Sequence, residues 1–253
     1  MAQPILALFF VAVTFFSTLV GGIFTLKNTR IPVKYFFAFA AGALIGVSFF
    51  DIMPEVIDII SIEAVPTITV MVSIVVAFLF FHTLDRTIVI HAMSHGHPPP
   101  GNLSQDPFLV GGMVRAGGLS IHSFLDGVAI GTAFHIGAQF GLVIGLAVIF
   151  HDFSDGLNTV TVMLRAGSTN RAAYLWLLLD ALTPALGVVA TFLVFFSPTM
   201  LAILLAFFVG EFLYIGAADL LPEAHQRGTS LRLVLATIIG VSLIFGVTRF
   251  LSL

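Results

Sequence analysis

The stretch IHSFLDGVAIGTAFHIGAQFGLVIGLAVIFHDFSDGLNTV, residues 121–160, decides how this chain is read. It is apolar enough for two helices joined by a few residues. His122 and Asp126 nevertheless stand near the centre of the first helix, and His151 and Asp155 near the centre of the second. Residues four apart are one turn apart, so each pair shares a face, about 6 Å apart along the axis. The two helices are antiparallel neighbours, and their polar faces can meet. Ionisable groups in so apolar a setting are expensive and normally face a bundle interior or an aqueous cavity.

The rest of the chain matches that setting. Of 253 residues, 58% are hydrophobic and only 9% are charged, with 27 Phe and 23 Gly. A soluble domain carries nearer a quarter charged residues. These proportions exclude a soluble globular enzyme, because too few charges remain to cover its surface. Ten Lys and Arg scattered singly, with a net charge of −3, also exclude a nucleic-acid binder. Cysteine is absent, so there are no disulfides and no thiolate metal sites. The expected class is an all-α polytopic membrane protein.

A bilayer crossing needs about 20 helical residues. Eight such stretches are expected in one membrane domain spanning 1–253, at about 4–26, 34–57, 66–84, 112–134, 138–163, 172–195, 199–222 and 230–252. The first has no basic residue ahead of an apolar run too long for a signal peptide, and is read as a genuine helix. Nine of the ten basic residues (Lys27, Arg30, Lys34, Arg86, Arg115, Arg165, Arg171, Arg227 and Arg232) flank the odd-numbered connections, and Arg249 alone falls on the other side. The positive-inside rule then puts both termini outside. The long connection, about 85–108, is expected to be a cytoplasmic loop. It carries His91, His95 and His97 ahead of Pro98, Pro99 and Pro100, an auxiliary and weaker metal site. His82 precedes it at the end of the third helix.

Two imidazoles and two or three carboxylates gathered at one depth form a divalent-cation site on physical grounds. Neutral imidazole suits Zn, Fe and Ni, and carboxylates neutralise the charge and broaden the range of metals accepted. Asp180 in the sixth helix and Glu211 in the seventh are further candidates for the same cavity. Two short patterns also match each other. DIMPE places Asp51 and Glu55 near the outer end of the second helix, and DLLPE places Asp219 and Glu223 near the inner end of the seventh, with His225 following. Equivalent placement at opposite ends suggests an inverted relation between helices 1–3 and 6–8. Pro54 and Pro222 are also positioned to end their helices.

These residues resemble the ZIP family of divalent-metal transporters, and its small prokaryotic members in particular. The family's helix-4 signature, His–Asn–x–Pro–Glu–Gly, falls on His122, Ser123, Phe124, Leu125, Asp126 and Gly127. Its helix-5 signature, His or Gln followed by an acid and x–Pro–Glu–Gly, falls on His151, Asp152, Phe153, Ser154, Asp155 and Gly156. The resemblance implies a first metal position built from His122, Asp126, His151 and Asp155. It implies a second that shares Asp126 and Asp155 and adds Ser123, Asp152 and Asp180. It also implies a 3+2+3 arrangement with inverted outer triplets, a homodimer, and uptake of a divalent metal, zinc first, toward the cytoplasm by alternating access. Iron, manganese, cobalt and cadmium are the other candidate cargoes. The expected location is the plasma membrane, or the inner membrane in a cell with two. Both signature prolines are replaced here, by Leu125 and Ser154, and both signature glutamates by the shorter aspartate.

Two other classes share these residues. A membrane-embedded zinc hydrolase acting on lipid amides would use His122, Ser123, Asp126 and His151 around a metal that polarises water. Such a site normally has three strong protein ligands, and only two histidines lie deep in this chain, so no enzymatic activity is expected. A divalent-cation channel would line its pore with the same acids, but rapid conduction requires weaker occupancy than several ligands per ion provide.

Overall fold

The structure is a computed structural model that describes residues 2–27, 34–94, 107–194, 196–226, 228 and 230–251. The described residues are almost entirely helical. The elements are α1 (Ala2–Leu26), α2 (Lys34–Glu63), α3 (Thr67–Ser94), α4 (Pro107–Ile136), α5 (Ala138–Arg165), α6 (Asn170–Phe192), α7 (Pro198–His225) and α8 (Leu231–Leu251). Seven of them, all but α4, are long and apolar enough to cross a membrane. The 30 residues of α4 give about 45 Å of helix at 1.5 Å per residue. Arg115, His122 and Asp126 lie along it.

Several boundaries differ from the sequence expectation. α3 continues to Ser94 and α4 begins at Pro107, so the connection is shorter than 85–108. Asp85 and Arg86 do not stop α3, because TIVIHAM beyond them contains no helix breaker. His95 and His97 lie outside the described residues, as does the side chain of His91.

The prolines of the two matching patterns do not end their helices either. α2 runs past Pro54 to Glu63, where Ala64 turns left-handed with φ 53°, and α7 runs past Pro222 to His225. Each proline instead follows a widened π-helical turn, Ser48–Ile52 in α2 and Tyr214–Leu220 in α7. Proline supplies no N–H and crowds the carbonyl four residues back. A π turn just ahead of it re-spaces the backbone without breaking the helix.

Packing follows a regular scheme. α5 contacts α1, α2, α4, α6 and α8, and α4 contacts α1, α3, α5, α6 and α7. The remaining neighbours are α1 with α6, α2 with α7, α2 with α8, and α3 with α7. Exchanging α1 with α6, α2 with α7, α3 with α8 and α4 with α5 maps this set of pairs onto itself: α4–α5, α1–α6 and α2–α7 are unchanged, and each of the others becomes another member of the set. Glycines carry the correspondence to atomic detail. A Cβ on Gly127 would strike the carbonyl oxygen of Pro184, and one on Gly156 that of Thr18. Reciprocally, Gly187 faces the carbonyl of Phe124, and Gly21 that of Phe153. Phe124 and Phe153 hold the third place of their motifs, and Gly127 and Gly156 the sixth. Close backbone approach at small residues is the usual basis of helix association in lipid. Here it presses α6 against α4 and α1 against α5 beside the paired His and Asp residues. The outward faces carry Leu8, Phe16, Val75, Leu186 and Ile239 among many exposed apolar side chains, as a lipid-facing surface requires.

Candidate metal centre

Four side chains converge between α4 and α5. His122 Nε2 lies 3.1 Å from Asp126 Oδ2 and 3.8 Å from Asp155 Oδ2. His151 Nε2 lies 3.3 Å from Asp126 Oδ2 and 3.7 Å from Asp155 Oδ2. One ligand atom from each of the four lies within 4.8 Å of the other three. A tetrahedral ion with bonds of about 2.1 Å has ligand-to-ligand edges of about 3.4 Å. The four measured edges bracket that value.

Hydrogen bonding shows which imidazole nitrogen is available. His151 Nδ1 is 3.0 Å from the carbonyl oxygen of Ala147, which can only accept, so Nδ1 carries the proton. His122 Nδ1 is 3.0 Å from Glu211 Oε1 on α7. Both rings therefore turn Nε2 toward the acids. Neither Nε2 has a hydrogen-bond partner, nor does either carboxylate oxygen of Asp126 or Oδ2 of Asp155. Buried polar atoms are normally paired, and a convergent group without partners calls for a ligand.

Charge points the same way. Asp126, Asp152, Asp155, Asp180 and Glu211 are all buried around the two imidazoles, and no Lys or Arg is buried among the described residues. Burying carboxylates without counter-charge is costly, and a divalent cation is a compact way to supply it.

The remaining candidates take distinct places. Ser123 Oγ donates to Asp180 Oδ1 at 2.7 Å, and Thr159 Oγ1 donates to Asp180 Oδ2 at 2.8 Å. Both oxygens of Asp180 are thus held by hydroxyls. Asp152 Oδ1 lies 3.9 Å from His151 Nε2, and Thr18 Oγ1 lies 3.5 Å from Asp152 Oδ2. Asp51 is buried in the π turn of α2, with Oδ2 unpartnered, and Glu55 is half-buried one turn on. His82 is exposed, its ring 6.0 Å from that of Tyr214. Glu223 and His225 are half-buried at the end of α7, and His225 Nδ1 caps the Leu221 carbonyl.

A cavity leads away from the cluster. Its lining includes His122 and Asp155 at the deep end, then Asn158, Tyr214, Leu84, Arg115 and Asp219. His122 and Asp155 are 5% and 3% exposed, whereas Asp126 and His151 are fully buried. The cluster is therefore reached from the side of His122 and Asp155. Thr159 escaped the sequence reading, and Asn158, polar and in the same deep stretch of α5, was given no role in the site. The one available signal was their position a turn or less beyond Asp155.

The profile of the ZIP zinc transporter family matches residues 101–248, more than half of the chain. The chain belongs to the ZIP family. Human zinc transporter ZIP4 is 36% identical over 126 residues, which are 50% of this chain and 19% of that protein. Rat metal cation symporter ZIP8 is 34% identical over 109 residues, 42% of this chain and 23% of the relative. The yeast zinc transporter YKE4 is 27% identical over 158 residues, 56% of this chain and 44% of the relative. The matches thus span less than half of each of these three relatives' own length. The ZIP match includes both His–Asp motifs and the whole of α4 to α7 as far as their side chains are described.

Proposed function

We propose that this multi-pass membrane protein moves divalent transition-metal cations across the bilayer toward the cytoplasm by alternating access, with zinc as its first cargo. The observation that carries this reading is the buried cluster of His122, Asp126, His151 and Asp155, whose ligand atoms all lie within 4.8 Å of one another without hydrogen-bond partners. Relatives named as zinc transporters, and one named as a metal cation symporter, support the class of cargo. Two carboxylates and two imidazoles suit zinc. The same mixture admits Fe²⁺, Mn²⁺, Co²⁺ and Cd²⁺, so selectivity among them is expected to be modest. Asp126 and Asp155 are proposed to be shared with a second, weaker metal position that adds Ser123 and Asp152 and, from α6, Asp180.

The outer triplets α1–α3 and α6–α8 are proposed as inverted repeats around α4 and α5. The neighbour scheme, the matched glycines and the paired π turns support this. Both termini are proposed to face outside, in a homodimer in the plasma membrane. The cavity past Asp155 toward Arg115 and Asp219 would then open to the cytoplasm. Hydrolysis of lipid amides is the weaker reading, since the relatives are named as zinc transporters or a metal cation symporter.

Uptake into proteoliposomes with competing divalent metals, with and without a pH gradient, tests the proposal. Saturable zinc uptake inhibited by the other ions is expected. Lipid turnover without metal flux would replace the transporter by the hydrolase, and flux far above about 10³–10⁴ ions per second, set against the weak occupancy that fast conduction needs, would replace it by a channel.

A further inference from the structure

The two imidazoles of the cluster are held differently, and the difference lies in the helices that pack outside it. His151 Nδ1 is bonded within its own helix, to Ala147 O. His122 Nδ1 is bonded to Glu211, which is fully buried on α7. The internal correspondence of the chain makes this an asymmetry rather than a repeated feature. Glu211 lies eight residues before Asp219 of DLLPE, and the residue eight before Asp51 of DIMPE is Ala43. The register is fixed independently by the preceding residues. Gly210 and Gly42 each face a backbone carbonyl of the helix packed beside them, Ile74 O and Thr237 O. Where α7 offers a carboxylate to one imidazole, α2 offers only a methyl.

We propose that Glu211 is the positioning residue of the centre, holding His122 as the Nδ1–H tautomer with Nε2 turned toward the metal; this rests on the metal-transport reading above. Glu211 is not itself placed to join the four ligands. The two nitrogens of an imidazole point away from each other, and Nε2 is the one that faces Asp126 and Asp155. His122 Nδ1 meets Glu211 Oε1 at 3.0 Å, whereas the Nδ1 atoms of His135, His151 and His225 each meet a carbonyl of their own helix. A ligating histidine whose other nitrogen is held by an outer partner binds more tightly, and loss of such a partner typically costs 10- to 100-fold in metal affinity. Because Glu211 belongs to α7 whereas the four ligands belong to α4 and α5, it also makes the readiness of His122 depend on where α7 sits.

The test uses the full chain in lipid nanodiscs with Zn²⁺ alone as the probe. Nitrogen NMR of ¹⁵N-histidine-labelled protein, with His122 assigned by its loss in His122→Asn, reads the tautomer without any metal. Wild type is expected to show Nδ1–H at both His122 and His151. Glu211→Leu is expected to give a mixture at His122 and leave His151 unchanged. In zinc titration Glu211→Gln, whose amide oxygen still accepts from Nδ1, should stay within about 3-fold of wild type, and Glu211→Leu should bind about 10- to 100-fold more weakly. An Nε2–H tautomer at His122 in the wild type would overturn the proposal, as would a folded Glu211→Leu protein with undiminished affinity or a Glu211→Gln protein as weak as Glu211→Leu. The tautomer stands or falls on metal-free protein. A wild type that binds no zinc would count against the transport reading instead.

Discussion

Asp126 belongs to α4, yet its Oδ2 lies 3.3 Å from Nε2 of His151 on α5, nearly as close as the 3.1 Å to His122 on its own helix. Neither helix builds the centre alone, so a bound ion should tie α4 to α5. Zinc at 100 times its Kd should stabilise the folded wild type by about 2.7 kcal/mol. In Asp126→Ala most of that gain should vanish. Thermal unfolding in detergent with and without zinc measures it, and equal stabilisation of both proteins would place the ion elsewhere.

The ligands bind metal only when deprotonated, so binding should release protons. Acidification adds competing protons to the carboxylates and imidazoles, and an unperturbed imidazole titrates at about 6.5. Apparent zinc affinity should therefore fall between pH 7.5 and 5.5. Calorimetry in buffers of different ionisation enthalpy counts the protons, and none released across that range would contradict the ligand set.

Backbone contact at the motif glycines should be stringent. Gly156→Ala and Gly127→Ala each direct a methyl into a carbonyl of the neighbouring helix and should destabilise by about 1–3 kcal/mol, the usual cost of overpacking. Gly137 has open space around it and an extended φ of −178°, so Gly137→Ala should fall within about 0.5 kcal/mol of wild type. Unfolding midpoints decide, and equal tolerance at Gly156 and Gly137 would refute the close packing.

Orientation is checked by single cysteines in a chain that has none of its own. Asn170, at the start of α6, and Glu63, at the end of α2, are both exposed. With the termini outside, Glu63→Cys should react with a membrane-impermeant thiol reagent on intact cells, and Asn170→Cys should react only after permeabilisation. The reverse pattern would invert the direction of transport.

The His–Asp pairs were legible in the sequence because four-residue spacing survives any packing of the helix, and because charge in an apolar helix is rare enough to stand out. Hydrophobic length accounts for seven of the eight helices among the described residues, α4 being the exception. What the linear pattern concealed depends on neighbours. Glu211 could be recognised as a misplaced acid, but its bond to His122 joins α7 to α4, and no local spacing encodes that. Asp180 could be marked as a candidate for the same reason, whereas the hydroxyls of Ser123 and Thr159 that hold it come from two other helices. Pro54 and Pro222 read as helix ends. Their preceding turns widened instead, because packed neighbours favour keeping the segment helical.

The central claim is that the buried cluster is the path of the transported ion, and zinc uptake by proteoliposomes of the single variants Asp126→Ala and Asp155→Ala tests it most directly. Each variant removes a ligand and its charge, so saturable uptake should fall at least about 100-fold, beyond the 10- to 100-fold typical of an outer partner, with insertion and folding retained. Near-normal uptake by either folded variant would contradict the claim.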